Sequence, residues 1–191
     1  MRDILLQIEQ LNKENFDNFI DLLSRCRESN KIYSLDIPMI NRLKEDAFSI
    51  NPKFEAYLGK IGLDWVAYAI IIVSYSTFMA LPDLSVEEIY VLGDYRNLGI
   101  GAAMLKLCAR KAKKKGCGKI ELTVPHRNKK IKNFFEFNGA VPTDRTCFQM
   151  DLTTPIGNTS RTTTFTDFVI RKDKNKLARL NSRANGNCQF R

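Results

Sequence analysis

Residues 86–108 read Val86-Glu-Glu-Ile-Tyr-Val-Leu-Gly-Asp-Tyr-Arg-Asn-Leu-Gly-Ile-Gly-Ala-Ala-Met-Leu-Lys-Leu-Cys108, a strand, a tight glycine-bearing loop and then a helix. Val86, Ile89, Tyr90, Val91 and Leu92 are mostly β-branched or aromatic and suit a half-buried strand. Beyond Arg96, the i, i+4, i+7, i+8 spacing of Ile100, Met104, Leu107 and Cys108 gives one apolar helical stripe. Gly99 and Gly101 sit where strand becomes helix, where glycine permits positive φ and close approach of a ligand to the backbone. The free N–H groups of a helix's first turn, with the positive end of its dipole, make an anion site. The stretch Arg96, Asn97, Leu98, Gly99, Ile100, Gly101 and Ala102 is therefore expected to cradle a phosphate or pyrophosphate.

Two phosphate loops are excluded. No Lys-Ser or Lys-Thr follows the second glycine, as a Walker loop requires, and Gly-x-Gly-x-x-Gly is absent. Arg96-Asn-Leu-Gly-Ile-Gly101 resembles instead the Arg/Gln-x-x-Gly-x-Gly/Ala signature of the GNAT superfamily of acyl-CoA-dependent N-acyltransferases. The resemblance resumes at Asn128, Phe134-Phe135 and Gly139, similar to the family's Asn-x-x-Ala-x-x-Phe-Tyr-x-x-x-Gly, with Ile131 for Ala and Phe135 for Tyr. Tyr75-Ser-Thr-Phe78 and Glu87-Glu-Ile-Tyr-Val91 look most like the diamine and thialysine acetyltransferase branch. The resemblance covers residues 1–152. It implies the GNAT fold: an α/β (α+β) chain whose mixed central sheet, flanked by helices, splays open at the acetyl-CoA site.

Composition agrees with a globular chain long enough for one core: 191 residues, 44% hydrophobic and 27% charged. The longest apolar run, Trp65 to Val73, is strand-sized, so no membrane span is expected. Met1-Arg-Asp-Ile lacks the build of a secretory signal. Five cysteines without zinc-ligand spacing point to free thiols in a reducing compartment, with the cytoplasm expected and no metal. The net charge of +9 is uneven. Eight Lys/Arg against two Asp put +6 of it in residues 153–191. That stretch reads as a basic extension of unknown structure, through which alone nucleic acid would bind. A homodimer is expected.

Along the chain, Asp3 to Leu11 reads as a first strand. Asn12 is expected to cap a helix with the stripe Phe16, Phe19, Ile20 and Leu23. A second helix starts near Asp36-Ile-Pro38. These two helices match the GNAT layout, in which they border the acceptor cleft, although an ordinary helical hairpin reads the same. Lys53 to Lys60 and Trp65 to Thr77 are strands. A loop at Met79 to Asp83 leads into the organising strand, and Lys119 to Val124 is the strand after the motif helix. Arg127 to Asn138 is a helix, and 140–151 would supply two final strands.

Transfer of an acetyl group to an amine requires the thioester to be held, the amine to lose a proton and the departing thiolate to be stabilised. The resemblance implies that the backbone of Ile89, Tyr90 and Val91 bonds the pantetheine arm and that Asn128 contacts the cofactor, although Asn128 equally suits a helix cap. Glu87 is expected to remove the proton, directly or through water, as a partly desolvated carboxylate with a raised pKa. It matches the glutamate lining the amine site in similar enzymes, and Glu88, on the opposite face, is its competitor. The family tyrosine thought to protonate the thiolate is replaced by Phe135. His126, the only histidine, and the cysteines lack partners for a nucleophilic triad, so direct transfer in a ternary complex is expected. Ser76, where a polyamine-specific relative would carry an aspartate, implies a shorter or less charged acceptor than spermidine. The sequence thus points to acetyl-CoA-dependent N-acetylation of a small primary amine: a diamine, polyamine or lysine-like compound. The alternatives are acetylation of a protein N-terminus or lysine, or a non-catalytic acyl-CoA-binding module.

Overall fold

The structure, a computed structural model, describes residues 5–125, 127–144 and 146. Strands β1 (Leu6–Gln10), β2 (Glu55–Ile61), β3 (Asp64–Ser76), β4 (Leu81–Val91) and β5 (Ile120–Leu122) form one sheet in that spatial order. β1 to β4 are successive antiparallel neighbours, and β5 joins β4 in parallel. Helices α1 (Phe16–Ser29), α2 (Ile37–Phe48), α3 (Ile100–Lys114) and α4 (Lys129–Phe137) complete the compact unit, which closes at Pro142. This is the mixed, helix-flanked sheet expected of the GNAT fold. The expected boundary at 152 and the extension 153–191 lie outside the described residues, as does His126.

Strand alternation sends side chains to two cores. On one face α3 buries Ile100, Met104, Cys108 and Ala112 against Tyr57, Ala67, Ala69, Ile71, Leu84 and Val86. On the other, α1 buries Phe16, Phe19, Leu22 and Cys26 against Ala56, Leu58, Tyr68 and Tyr90. Full burial of each large apolar side chain contributes about 1.5–3 kcal/mol, so these two stripes clamp the helices to the sheet.

Three local expectations need correction. Asn12 does not cap α1: its Oδ1 accepts from the N–H groups of Glu14 and Asn15, both at 2.9 Å, while Asn15 Oδ1 accepts from Asn12 N–H at 2.8 Å. The reciprocal turn spends asparagine's local bonding ability one turn ahead of the helix. β4 begins at Leu81, inside the expected loop, because β3 and β4 form a hairpin whose ladder reaches Ser76 opposite Leu81. β5 is only three residues long, and its ladder with β4 runs from Leu84↔Ile120 to Val86↔Leu122 and stops.

That stop opens the site. β4 continues five residues past its last parallel pair, so from Glu87 to Val91 the edge away from β3 has no strand beside it among the described residues. The β3–β4 register shifts there as well. Ile71 pairs with Val86 and Ile70 with Glu88, leaving Glu87 as the extra, bulged residue. A bulge bends its strand and redirects side chains. It shifts the alternation so that Val86, Ile89 and Val91 pack on the α3 face while Tyr90 packs on the α1 face.

Candidate active site

The loop between β4 and α3 begins with a 3-10 turn, Gly93–Tyr95, pinned by the Tyr95 hydroxyl donating to Asp64 Oδ2 at 3.1 Å. Asn97 then takes φ +63° and Gly99 φ +80°. A Cβ at Gly99 would meet nothing within 4 Å, so it is the left-handed backbone, not crowding, that asks for glycine. Asn97 is the residue type that best tolerates the same region. No side chain caps α3, in contrast to α2, where the Asp36 side chain accepts from Met39 N–H, and α4, where Asn128 accepts from Ile131 N–H. The first-turn amides of Ile100, Gly101 and Ala102 therefore have no side-chain cap, and the positive end of the helix dipole lies behind them. Leu98 is half exposed on the outside of the loop.

Arg96 turns back. Its Nε donates to Val91 C=O at 2.9 Å, and its guanidinium lies over the Tyr90 ring, 5.9 Å from the centroid. The Val91 carbonyl thus faces away from β3, while Leu92 N–H donates to Val66 C=O on the β3 side at 2.9 Å. Bonding direction alternates along an antiparallel strand, so the N–H and C=O of Ile89 face the open edge with Val91, and those of Tyr90 face β3. Of the three residues expected to bond a pantetheine arm, Ile89 and Val91 offer backbone at the edge. The Tyr90 ring instead packs in the α1-face core beneath Arg96.

Gly101 has ordinary φ, and a Cβ there would lie 3.4 Å from Phe134 Cζ. It is therefore the seat of α4 on the start of α3 through Phe134, besides belonging to the loop. Phe134 and Phe135 are adjacent tilted rings with centroids 5.2 Å apart, both half-buried. Asn128 is accounted for as the α4 cap, accepting at 3.2 Å.

Glu87 is exposed at the bulge, in place of the partial desolvation expected of it. Glu88 is the half-buried carboxylate. Tyr68 Oη donates to its Oε2 at 2.5 Å and Cys26 Sγ to its Oε1 at 3.0 Å. This trio links β3, β4 and α1 next to the bulge. Burial, and then the bond to Glu88, push the Cys26 thiol up to about 11, so at neutral pH it is a protonated donor. Burial likewise raises the Tyr68 hydroxyl far above its ordinary range, followed by its contacts with Cys26 and Glu88. No cysteine–histidine pair occurs among the described residues, since the one histidine lies outside them.

Beside Glu88, a groove of about 350 Å³ runs between α1, α2 and β3, lined by Leu23, Arg27, Leu35, Met39, Arg42, Leu43, Asp46 and Ile70. Ile70 is the register partner of Glu88. Nothing in the sequence marked Arg27, Arg42 or Asp46, which read as ordinary helix-surface charges. Ser76, by contrast, sits at the hairpin end opposite Leu81, seven residues from Glu88 and so roughly 20 Å along the strand at about 3.3 Å per residue.

The acetyltransferase (GNAT) family model matches residues 16–139. Among similar proteins, the thialysine N-epsilon-acetyltransferase of Mus musculus is 35% identical over 106 residues, 51% of this chain and 62% of that protein. The Sus scrofa protein of the same name is 28% identical over 141 residues, 70% of this chain and 82% of its own. Among solved structures, a possible acetyltransferase from Clostridium difficile 630 superposes with TM-score 0.68 at 15% identity, covering 78% of this chain and 98% of its own. An aminoglycoside N-acetyltransferase AAC(6')-Iy in complex with CoA gives TM-score 0.66 at 16% identity, covering 79% and 97%. The two structures attest the fold. Taken with the family match over the strand, loop and helix of the site, they lead to one assignment: the chain belongs to the GNAT family of acetyltransferases.

Proposed function

We propose that the chain transfers an acetyl group from acetyl-CoA to a primary amine of a small molecule, a diamine, polyamine or lysine-like compound, by direct attack in a ternary complex. The observation that carries this reading is the uncapped α3 N-terminus, with left-handed Asn97 and Gly99 ahead of it, beside an open β4 edge. The residues fit the cosubstrate. Backbone amides from Gly99 to Ala102 suit a pyrophosphate, and the edge groups of Ile89 and Val91 suit an amide-bearing arm running along β4. The similarity to thialysine N-epsilon-acetyltransferases supports the acceptor class.

The amine must lose a proton before it attacks. A lysine-type ammonium has a pKa of about 10.4, so the reactive form is scarce at neutral pH and a base in the site helps. Glu87, exposed at the point where the sheet opens, takes that proton, directly or through a water. Glu88 holds the bulge in place through Tyr68 and Cys26. Phe135 gives no proton to the departing thiolate, so a water or a nearby tyrosine fills that role and turnover is slow. Cys26, Cys108 and Cys117 are free, in keeping with a reducing compartment such as the cytoplasm.

A thiol-release screen with acetyl-CoA against small amines, amino acids and peptides tests the reading. Turnover confined to small amines supports it, and turnover confined to peptides favours a protein acetyltransferase. CoA binding without turnover favours a non-catalytic module.

A further inference from the structure

Arg127, Lys129, Lys130 and Lys132 put four cations into six residues across the start of α4, with no acid among them. Lysines gather on α3 as well, but there Lys111, Lys113 and Lys114 stand in the last turn, where the negative end of the helix dipole favours them. At the start of α4 the dipole has the opposite sign, so each cation opposes it. Lys129 and Lys132, three residues apart, also repel each other as like charges on one helix face. Lys132 reaches Glu136 at 3.9 Å. No ion pair engages Arg127, Lys129 or Lys130 among the described residues, and all three are exposed. Exposed cations held against the dipole destabilise the start of α4 until an anion offsets them.

That start lies beside the proposed cosubstrate site. A Cβ at Gly101 would meet Phe134 Cζ at 3.4 Å, so the first turn of α3 and the Phe134 ring are neighbours. Lys129 and Lys130 precede Phe134 on the same helix, roughly 6–7.5 Å along its axis at about 1.5 Å per residue. The segment leading into α4 leaves the sheet after Leu122, whose partner Val86 is the last residue in the parallel ladder before the β4 edge opens. Asn128 already accepts from Ile131 N–H, so what α4 offers a ligand here is cationic side chains more than free amides.

We propose that Arg127, Lys129 and Lys130 bind the ribose 3′-phosphate of coenzyme A and make the chain prefer CoA to dephospho-CoA. The inference rests on the acetyl-CoA reading and deepens it. The uncapped start of α3 suits the pyrophosphate, and the open β4 edge suits the pantetheine arm, which leaves the adenosine end of the molecule for α4. That end carries one more phosphate, a monoester close to doubly charged at neutral pH. Lysine meets it as a point charge on a flexible stem, and Arg127 adds a fork of donors. Because the three side chains are exposed, their hold is electrostatic and sensitive to salt.

Calorimetry of the full chain with CoA and with dephospho-CoA, which lacks only the 3′-phosphate, tests this. At low salt CoA is expected to bind roughly 10-fold more tightly, since three exposed ion pairs each supply a few-fold at most. The ratio is expected to shrink at about 0.5 M salt, where charges are screened within a few Å. In the double variant Lys129→Gln, Lys130→Gln the ratio falls toward one through weaker binding of CoA, with dephospho-CoA little affected. Lys129→Glu separates a binding role from a merely solvated surface. An acid suits the first turn of a helix, so the melting temperature of the ligand-free chain is expected to rise while the preference for CoA is lost. The same gain in stability with an unchanged ratio overturns the proposal. Equal affinities for CoA and dephospho-CoA in the unaltered chain also overturn it, and leave the acetyl-CoA reading standing. If neither compound binds, that reading falls and the proposal with it.

Discussion

Replacing Gly99 with alanine perturbs the backbone of the proposed pyrophosphate cradle and almost nothing else. The added Cβ meets no atom within 4 Å, so no clash contributes. What it does meet is its own backbone, held at φ +80° and ψ 0°, a conformation that costs an L-residue about 1–2 kcal/mol. Two responses are open. If the loop keeps its shape, the cost appears as lost folding stability in urea. If the loop relaxes, it must be restored on binding, and the cost appears as weaker CoA affinity, at most roughly 5- to 30-fold for that energy. The two losses together are expected to reach about 1–2 kcal/mol, with most of it in affinity because the loop is exposed. Gly99→Asn should recover part of the loss, since asparagine accepts this region more readily and Asn97 already occupies it two residues earlier. Isothermal titration calorimetry with CoA, alongside urea unfolding, measures both. Full CoA affinity and full stability in Gly99→Ala would refute the reasoning. Gly101→Val is the contrasting case: its side chain presses first on Phe134, so displacement of α4 precedes any obstruction of a ligand.

Tyr68→Phe removes the donor to Glu88 Oε2 and should cost about 1.5–3 kcal/mol in urea unfolding, the range for a hydrogen bond to a charged group; a loss below half a kcal/mol would deny the trio its role in holding the bulge. Cys26 and Cys108 are buried with thiols raised from 9.0 to about 11. A raised pKa means the unfolded chain gives up its proton first, so their contribution is intact below pH 9 and drains away as pH climbs toward 11; a melting temperature unchanged across that window would contradict their burial. Phe135→Tyr places a hydroxyl where this chain has none, and kcat with the best acceptor is expected to rise, by up to the 10²–10⁴-fold of a general acid. No gain would mean that the thiolate needs no acid here.

The parts of the fold that rest on local chemistry were legible in the sequence. The α3 stripe through Ile100, Met104 and Cys108 is buried as its spacing requires, and Asp36 caps α2 ahead of Pro38. Gly99 takes the positive φ its place between strand and helix suggested. What stayed hidden depends on partners far along the chain. The bulge at Glu87 arises from register with β3, and no residue near position 87 announces it. Glu88 is bound by Cys26 and Tyr68, 62 and 20 residues away, so a pair of adjacent glutamates could not be ranked by burial from sequence. Arg27, Arg42 and Asp46 line one groove only because α1 and α2 fold over β3. Each alone is an unremarked charge on a helix.

The central claim is acetyl transfer from acetyl-CoA to a small amine without a covalent enzyme intermediate. Incubating the chain with isotopically labelled acetyl-CoA and L-lysine, then taking mass spectra of both the amine and the intact chain, tests it most directly. The account predicts lysine carrying one labelled acetyl group on its side-chain nitrogen, and a chain of unaltered mass at every time point. Labelled acetyl on a cysteine of the chain that passes on to the amine, or unmodified lysine and unmodified alternative amines in the presence of bound CoA, would contradict it.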